Sequence, residues 1–191
     1  MKQEKLTELC KKIQGMQKAK VVIAIDGKCA SGKTTLAEAL SKQLHANVFH
    51  MDDYFLRVEQ RTKQRYREPG GNVDRERFYQ EIGTKLHTDS PIIYAPFDCQ
   101  KMEICENITV QQTPITIVEG SYAMHPDLQK LYDLSIFLDI SEVLQLQRIE
   151  IRNPDKVEMF QKKWIPLENQ YFGAFGIKQH CDIILRAEEM W

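Results

Sequence analysis

The chain has 191 residues, a formal net charge of −1, 42% hydrophobic and 28% charged residues. That length suits one domain with a sizeable core, and the near-zero charge gives no global field favouring nucleic acid or an anionic membrane. No apolar run nears the roughly 20 residues of a membrane span, no apolar stretch follows Met1-Lys2-Gln3-Glu4-Lys5 as a signal peptide requires, and five cysteines without a C-x-x-C pair read as free thiols in a reducing cytoplasm.

Residues 2–18 read as a polar amphipathic helix with Leu6, Leu9 and Ile13 on one face. A buried strand follows at 20–26. It delivers Gly27-Lys28-Cys29-Ala30-Ser31-Gly32-Lys33-Thr34, which is G-x-x-x-x-G-K-[ST] between a strand and an amphipathic helix running to about His45. Gly27 and Gly32 permit the tight path that turns successive N–H groups inward on a phosphate. The helix beginning at Lys33-Thr34-Thr35 adds its positive end. Lys33 supplies a point charge to the β- and γ-phosphates, and the Thr34 hydroxyl is placed to ligate Mg²⁺. Cys29 lies where a helix N-terminus lowers a thiol pKa, although a small inert loop residue explains it more simply.

A second strand at 47–51 ends in Asp52-Asp53. Residues 57–72 are polar, basic and punctuated by Pro69-Gly70-Gly71. Asp74 is a candidate cap for a helix at 75–87. Ile92-Ile93-Tyr94 and Asn107-Ile108-Thr109-Val110 read as a projecting hairpin. Thr116-Ile117-Val118-Glu119 and 134–139 read as buried parallel strands. Helices are expected at 141–152 and 155–171, and a last strand at 182–185. Strands alternating with helices predict an α/β fold, a P-loop NTPase domain with a mostly parallel five-stranded sheet flanked by helices. It would be one domain over 1–191, with an acceptor-side insertion at about 54–112 and a lid at about 148–165.

Every strong polar candidate then falls at the carboxyl end of a strand, where ligands bind in such folds. Phosphoryl transfer needs a metal, positive charge about the γ-phosphate and a carboxylate near the attacking hydroxyl. Asp52 is the candidate for that carboxylate, and Glu119 for the acid that supports Mg²⁺ through water. Thr34, Asp52 and Glu119 are the candidate metal-side oxygens. Tyr94, Phe97 and Tyr122 are aromatic candidates for contact with a base or ribose, against the commoner role of packing. His50 and His125 are read as structural. No His/Cys/Asp/Glu spacing suggests zinc. Arg57, Arg61, Lys63, Arg65, Arg67, Arg75 and Arg77 form either a solvated loop or an anion pocket.

Asp52-Asp53-Tyr54-Phe55, Asn72-Val73-Asp74, Phe97-Asp98, Ile117-Val118-Glu119-Gly120 and Arg148…Arg152 occur in the order seen in uridine kinases. From about residue 20 onward the chain resembles the uridine kinase/phosphoribulokinase group of P-loop kinases. It is most similar to short bacterial uridine kinase-like proteins, through residues 69–78 and Trp164-Ile165-Pro166-Leu167-Glu168. The resemblance implies Asp52 as catalytic aspartate, Glu119 as magnesium-linked glutamate, and Asp74 as the group gripping the ribose hydroxyls. It implies Arg148 and Arg152 as lid arginines that close over the triphosphate. Phe97-Asp98 stands where uridine kinases carry Tyr-Asp, and Lys101-Met102-Glu103 stands where they carry His-x-Arg.

The expected activity is therefore an ATP- and Mg²⁺-dependent transfer of the γ-phosphoryl group to the hydroxyl of a small acceptor, a nucleoside first. Neither nucleic acid nor a membrane is expected as partner, and a homo-oligomer is left open. The rivals are a nucleoside-monophosphate kinase of cytidylate type, a kinase of another small metabolite, and a nucleotide-bound regulatory module.

Overall fold

Strand β1 (Val21–Gly27) is buried along its whole length. Val21, Ile23 and Ile25 face one layer while Val22 and Ala24 face the other, the two-residue period of a strand. The computed structural model, which describes residues 2–190, places β1 at the centre of five parallel strands. The chain next forms β2 (Asn47–His50) and four short pieces, β3 (Ile92–Tyr94), β4 (Phe97–Asp98), β5 (Glu103–Ile104) and β6 (Ile108–Val110). It returns to the main sheet with β7 (Ile115–Glu119), β8 (Leu134–Asp139) and β9 (Ile183–Arg186). The order is β2-β7-β1-β8-β9. The chain steps outward from β1 on one side and then past it on the other, and such a reversal opens a crevice at the carboxyl ends of the strands.

The helices are α1 (Gln3–Gln14), α2 (Lys33–Leu44), α3 (Lys63–Arg67), α4 (Arg75–Glu81), α5 (Glu142–Arg152), α6 (Val157–Met159), α7 (Ile165–Phe175), α8 (Ile177–His180) and α9 (Ala187–Met190). Helix α1 buries Leu6, Leu9 and Ile13 in the layer of Leu36, Leu40 and Ile25, each such side chain contributing roughly 1.5–3 kcal/mol. The opposite layer gathers Phe49, Tyr54, Phe78, Tyr94, Phe137 and Tyr171.

The five-stranded parallel sheet and the β3–β6 hairpin are as expected, the hairpin pairing Ile92 with Val110. Several boundaries differ. Helix α1 stops at Gln14 with Gly15 as its cap, rather than at 18, because the chain must turn into β1. Residues 57–72 were expected without regular structure, yet they hold a 3₁₀ turn at Val58–Gln60 and then α3. Thr62 caps α3, its side chain accepting from the Arg65 N–H at 3.1 Å. The helix expected at 75–87 breaks after Glu81 into a 3₁₀ turn at Gly83–Lys85. The helix expected at 155–171 lies further on, as α6, a π-helical turn at Phe160–Trp164, and α7. Pro166 explains the π turn: it offers no N–H and its ring crowds the carbonyl of Lys162, so the helix widens one turn upstream. Among the described residues no helix is long and apolar enough to cross a membrane.

Candidate active site

The loop after β1 is built for close approach. Gly27 has φ 141°, and a Cβ there would stand 2.2 Å from the Leu138 carbonyl oxygen, so only glycine fits. Gly32, at φ 100°, begins α2 in the left-handed region. Ala30 takes φ 60° without that freedom, a strain of the kind found at binding loops.

Lys33 is buried, and its ammonium donates to the Gly27 carbonyl at 2.9 Å, the Lys28 carbonyl at 3.0 Å and Ser121 Oγ at 3.3 Å. Arg148, on α5, donates to the Ala30 and Ser31 carbonyls, both at 3.1 Å. Lys28 reaches sideways to the Ile140 carbonyl and Asp139 at the end of β8. The Ser31 hydroxyl is buried without a partner inside the protein. An unmet polar atom in a loop that turns N–H groups inward fits an anionic, hydrogen-bonding ligand.

Strands β2 and β7 bring the acids to the same edge. Their register pairs His50 with Glu119. Thr34 Oγ1 donates to Glu119 Oε1 at 3.1 Å, and His50 Nδ1 lies 2.6 Å from the same oxygen. Thr34 and Glu119, from two different elements, thus offer adjacent hard oxygens, and Asp52 follows β2 in a 3₁₀ turn, Met51–Tyr54. This donor set fits Mg²⁺, which takes few protein oxygens and keeps water or phosphate for the rest. Asp52 is open to solvent yet closely ringed by protein. Burial raises its carboxyl above the usual range, Lys33 pulls it back, and Glu119 and Glu168 add to the rise. Asp52 therefore shares its surroundings with the phosphate loop.

Other candidates are placed differently. Arg152 is exposed and bonds to its neighbour Asn153, away from the loop. The Cys29 thiol is pushed up to about 12 by burial and by Glu168, the opposite of the lowering a helix N-terminus gives. Tyr94 packs within the core against Phe49 and Tyr54, and Asp98 turns its carboxylate onto the Gln100 and Lys101 N–H groups of a surface turn. Phe97 is buried with the Arg61 guanidinium over its ring. Tyr122 is buried at φ 80°, another strained non-glycine residue. Asp74 is buried; one oxygen caps α4 by accepting from the Arg77 N–H at 3.1 Å, and the other accepts from Gln60 at 2.8 Å. Neighbouring Asn72 is buried beside the Tyr122 hydroxyl, with neither side-chain atom in a well-formed hydrogen bond. Of the basic segment, Arg65 binds Glu76 and two carbonyls, Arg75 binds Asp127, and Arg77 binds the Ala95 and Asp53 carbonyls while lying over Tyr54.

Sequence reasoning passed over Asp26, Ser121 and Glu168. Asp26 is fully buried and accepts from the N–H groups of Gly27, Tyr122 and Met124 and from the Tyr171 hydroxyl. It fastens the start of the loop to the segment after β7. Burial holds its carboxyl near 6, above the ordinary carboxylate value. Its ionisation therefore opposes folding. Its contribution is complete below about pH 4 and is lost as pH rises through about 6. Asp26→Asn should unfold more easily by roughly 1–3 kcal/mol near neutral pH, because an amide NH₂ then faces a donor. It should also lose that pH slope. Urea titrations at pH 5 and pH 8 check both; equal stability and an unchanged slope would remove Asp26 from this role.

These features define a P-loop kinase fold: a glycine-hinged loop after a central parallel strand, a lysine at its end, and acids at the carboxyl ends of the adjacent strands β7 and β2 on one side of it. The chain is 24% identical over 190 residues to the uridine kinase of Anoxybacillus flavithermus, covering 89% of this chain and 87% of that one. It is 25% identical over 192 residues to the uridine kinase of Lactobacillus helveticus, covering 91% and 89%. Its fold matches the structure of a possible uridine kinase from Bacillus stearothermophilus with a TM-score of 0.75 and 19% identity, over 95% of this chain and 97% of that one. No family model matches the chain. The chain is thus uridine kinase-like along most of its length.

Proposed function

We propose that the protein is an ATP- and Mg²⁺-dependent kinase that moves the γ-phosphoryl group to a primary hydroxyl, the 5′-OH of a pyrimidine nucleoside in the first instance. The observation that carries this reading is the meeting of three elements at one point. Lys33 lies in the loop, Thr34 and Glu119 share a hydrogen bond at 3.1 Å, and the Asp52 carboxyl is shifted by both Lys33 and Glu119. Lys33, Arg148 and the first N–H groups of α2 hold the phosphates. Mg²⁺, when bound through Thr34 and Glu119, neutralises charge on the phosphate oxygens. Asp52 accepts or orients the proton of the acceptor hydroxyl, and the attacking and leaving oxygens need only be held in line. A carboxyl raised chiefly by burial is a better base than an ordinary one.

A second phosphate requires free guanidinium groups. Arg65 is spent on Glu76 and on the Gly71 and Val73 carbonyls, whereas Arg75 Nη1 and Arg77 Nε have no hydrogen-bond partner, so the choice between a nucleoside and its monophosphate is left to the substrate panel below. The side-chain atoms of Asn72, beside Asp74 and without a well-formed hydrogen bond, support a small polar acceptor at this edge. A panel of nucleosides and nucleoside monophosphates, read by ATP consumption, tests the reading. Turnover with uridine or cytidine and none with the monophosphates is expected; the reverse would make the protein a monophosphate kinase.

A further inference from the structure

One carboxylate lies where an anion-binding loop should least tolerate it. Glu168, on α7, is 5% exposed. Its Oε2 accepts the Cys29 N–H at 2.9 Å, and its Oε1 accepts the Ser121 hydroxyl at 2.7 Å. Ser121 in turn accepts from the Lys33 ammonium at 3.3 Å. Glu168 thus takes one loop N–H directly and reaches the loop lysine through one hydroxyl. Its two oxygens, each on a loop-side donor, reproduce the way a phosphate is held.

The position along the loop matters. The unsatisfied N–H groups of the first turn of α2, from Gly32 onward, face the inner phosphates. Cys29 lies three residues upstream with its N–H on Glu168, and the Asp52 carboxyl feels the charge of Glu168. Glu168 therefore borders the space between the loop and the acid, which is where a terminal phosphate has to stand for transfer.

We propose, resting on the kinase reading above, that Glu168 sets the preference of the loop between di- and triphosphate. A diphosphate fills the inner part of the loop and leaves Glu168 in place. A terminal phosphate competes with the Glu168 carboxylate for the Cys29 N–H and for Lys33, and displaces it. The negative charge of Glu168 thereby weakens triphosphate binding selectively. It also favours departure of the terminal phosphate once this is passed to an acceptor. The displaced side chain belongs to α7, so triphosphate binding is felt in that helix.

The test is equilibrium binding of a non-hydrolysable ATP analogue and of ADP, with Mg²⁺, to the wild type, Glu168→Gln and Glu168→Ala. Both variants should bind the analogue about 10-fold more tightly, the scale of one removed charge contact, while ADP affinity stays within about twofold. Parallel weakening for both nucleotides would make Glu168 a structural brace and overturn the proposal, as would unchanged affinities. A wild type that binds neither nucleotide would overturn the kinase reading itself. Hydrogen exchange on the wild type supplies a measurement independent of the variants' folding. The analogue should alter exchange over residues 165–175 and ADP should not, and identical traces would also overturn the proposal.

Discussion

Lys33→Ala is expected to lower kcat/KM for ATP by about 10³-fold and to weaken nucleotide binding by at least about 10-fold. Two losses combine. The ammonium stands at the first residue of α2, where the loop meets the helix, and a charge-assisted hydrogen bond to a phosphate oxygen contributes roughly 1.5–3 kcal/mol, more as charge develops in transfer. The same ammonium also donates to the Gly27 and Lys28 carbonyls, and these hold the loop in its bent path. Alanine removes the charge and releases the bend together. Arg148 adds charge from α5, its Nη1 on the Ala30 and Ser31 carbonyls, but it does not restore the contacts to Gly27 and Lys28 that the lysine makes. Titration with a fluorescent ATP analogue and a coupled assay of turnover give both numbers. Wild-type turnover in this variant would take the loop out of the mechanism.

Asp52→Asn should leave the Kd for the ATP analogue nearly unchanged and lower kcat by at least about 100-fold. The amide keeps the size and one acceptor oxygen of the carboxylate but cannot take the hydroxyl proton. On the proposed reading the phosphates are held by Gly27–Thr34 and Arg148, not by Asp52. The site also loses a negative charge near Glu119 and Glu168, so any change in nucleotide affinity should be a modest tightening. Equal loss of kcat and of nucleotide affinity would assign Asp52 to holding the metal instead.

The parts of the site that depend on local backbone chemistry were legible in the sequence. A strand, two glycines at fixed spacing and a helix start dictate one bent path, and the structure has it at Gly27 and Gly32. Glu119 and Asp52 were readable because they close apolar strands, and parallel strands deliver such residues to one edge. What escaped reading came from long-range packing. Glu168 reaches Cys29 across 139 residues of chain, and Tyr171 reaches Asp26 across 145. No periodicity reports such a contact, although Glu168 closes the Trp164-Ile165-Pro166-Leu167-Glu168 run. The basic stretch 57–77 looked like either a solvated loop or an anion pocket. Arg65, Arg75 and Arg77 were decided by the carbonyls and carboxylates within their reach, which only the folded chain reveals. The helix expected after 155 is divided because Pro166 falls within that stretch, at the first turn of α7, and the π turn at Phe160–Trp164 precedes it.

Transfer of label from γ-³²P-ATP, in the presence of Mg²⁺ and uridine or cytidine, tests the central claim most directly. With the phosphate loop and Asp52 acting as described, the label should appear in the 5′-monophosphate of the nucleoside and disappear from that product in Asp52→Asn. Label that stays in ATP, or that emerges only as inorganic phosphate whatever hydroxyl is offered, would contradict it.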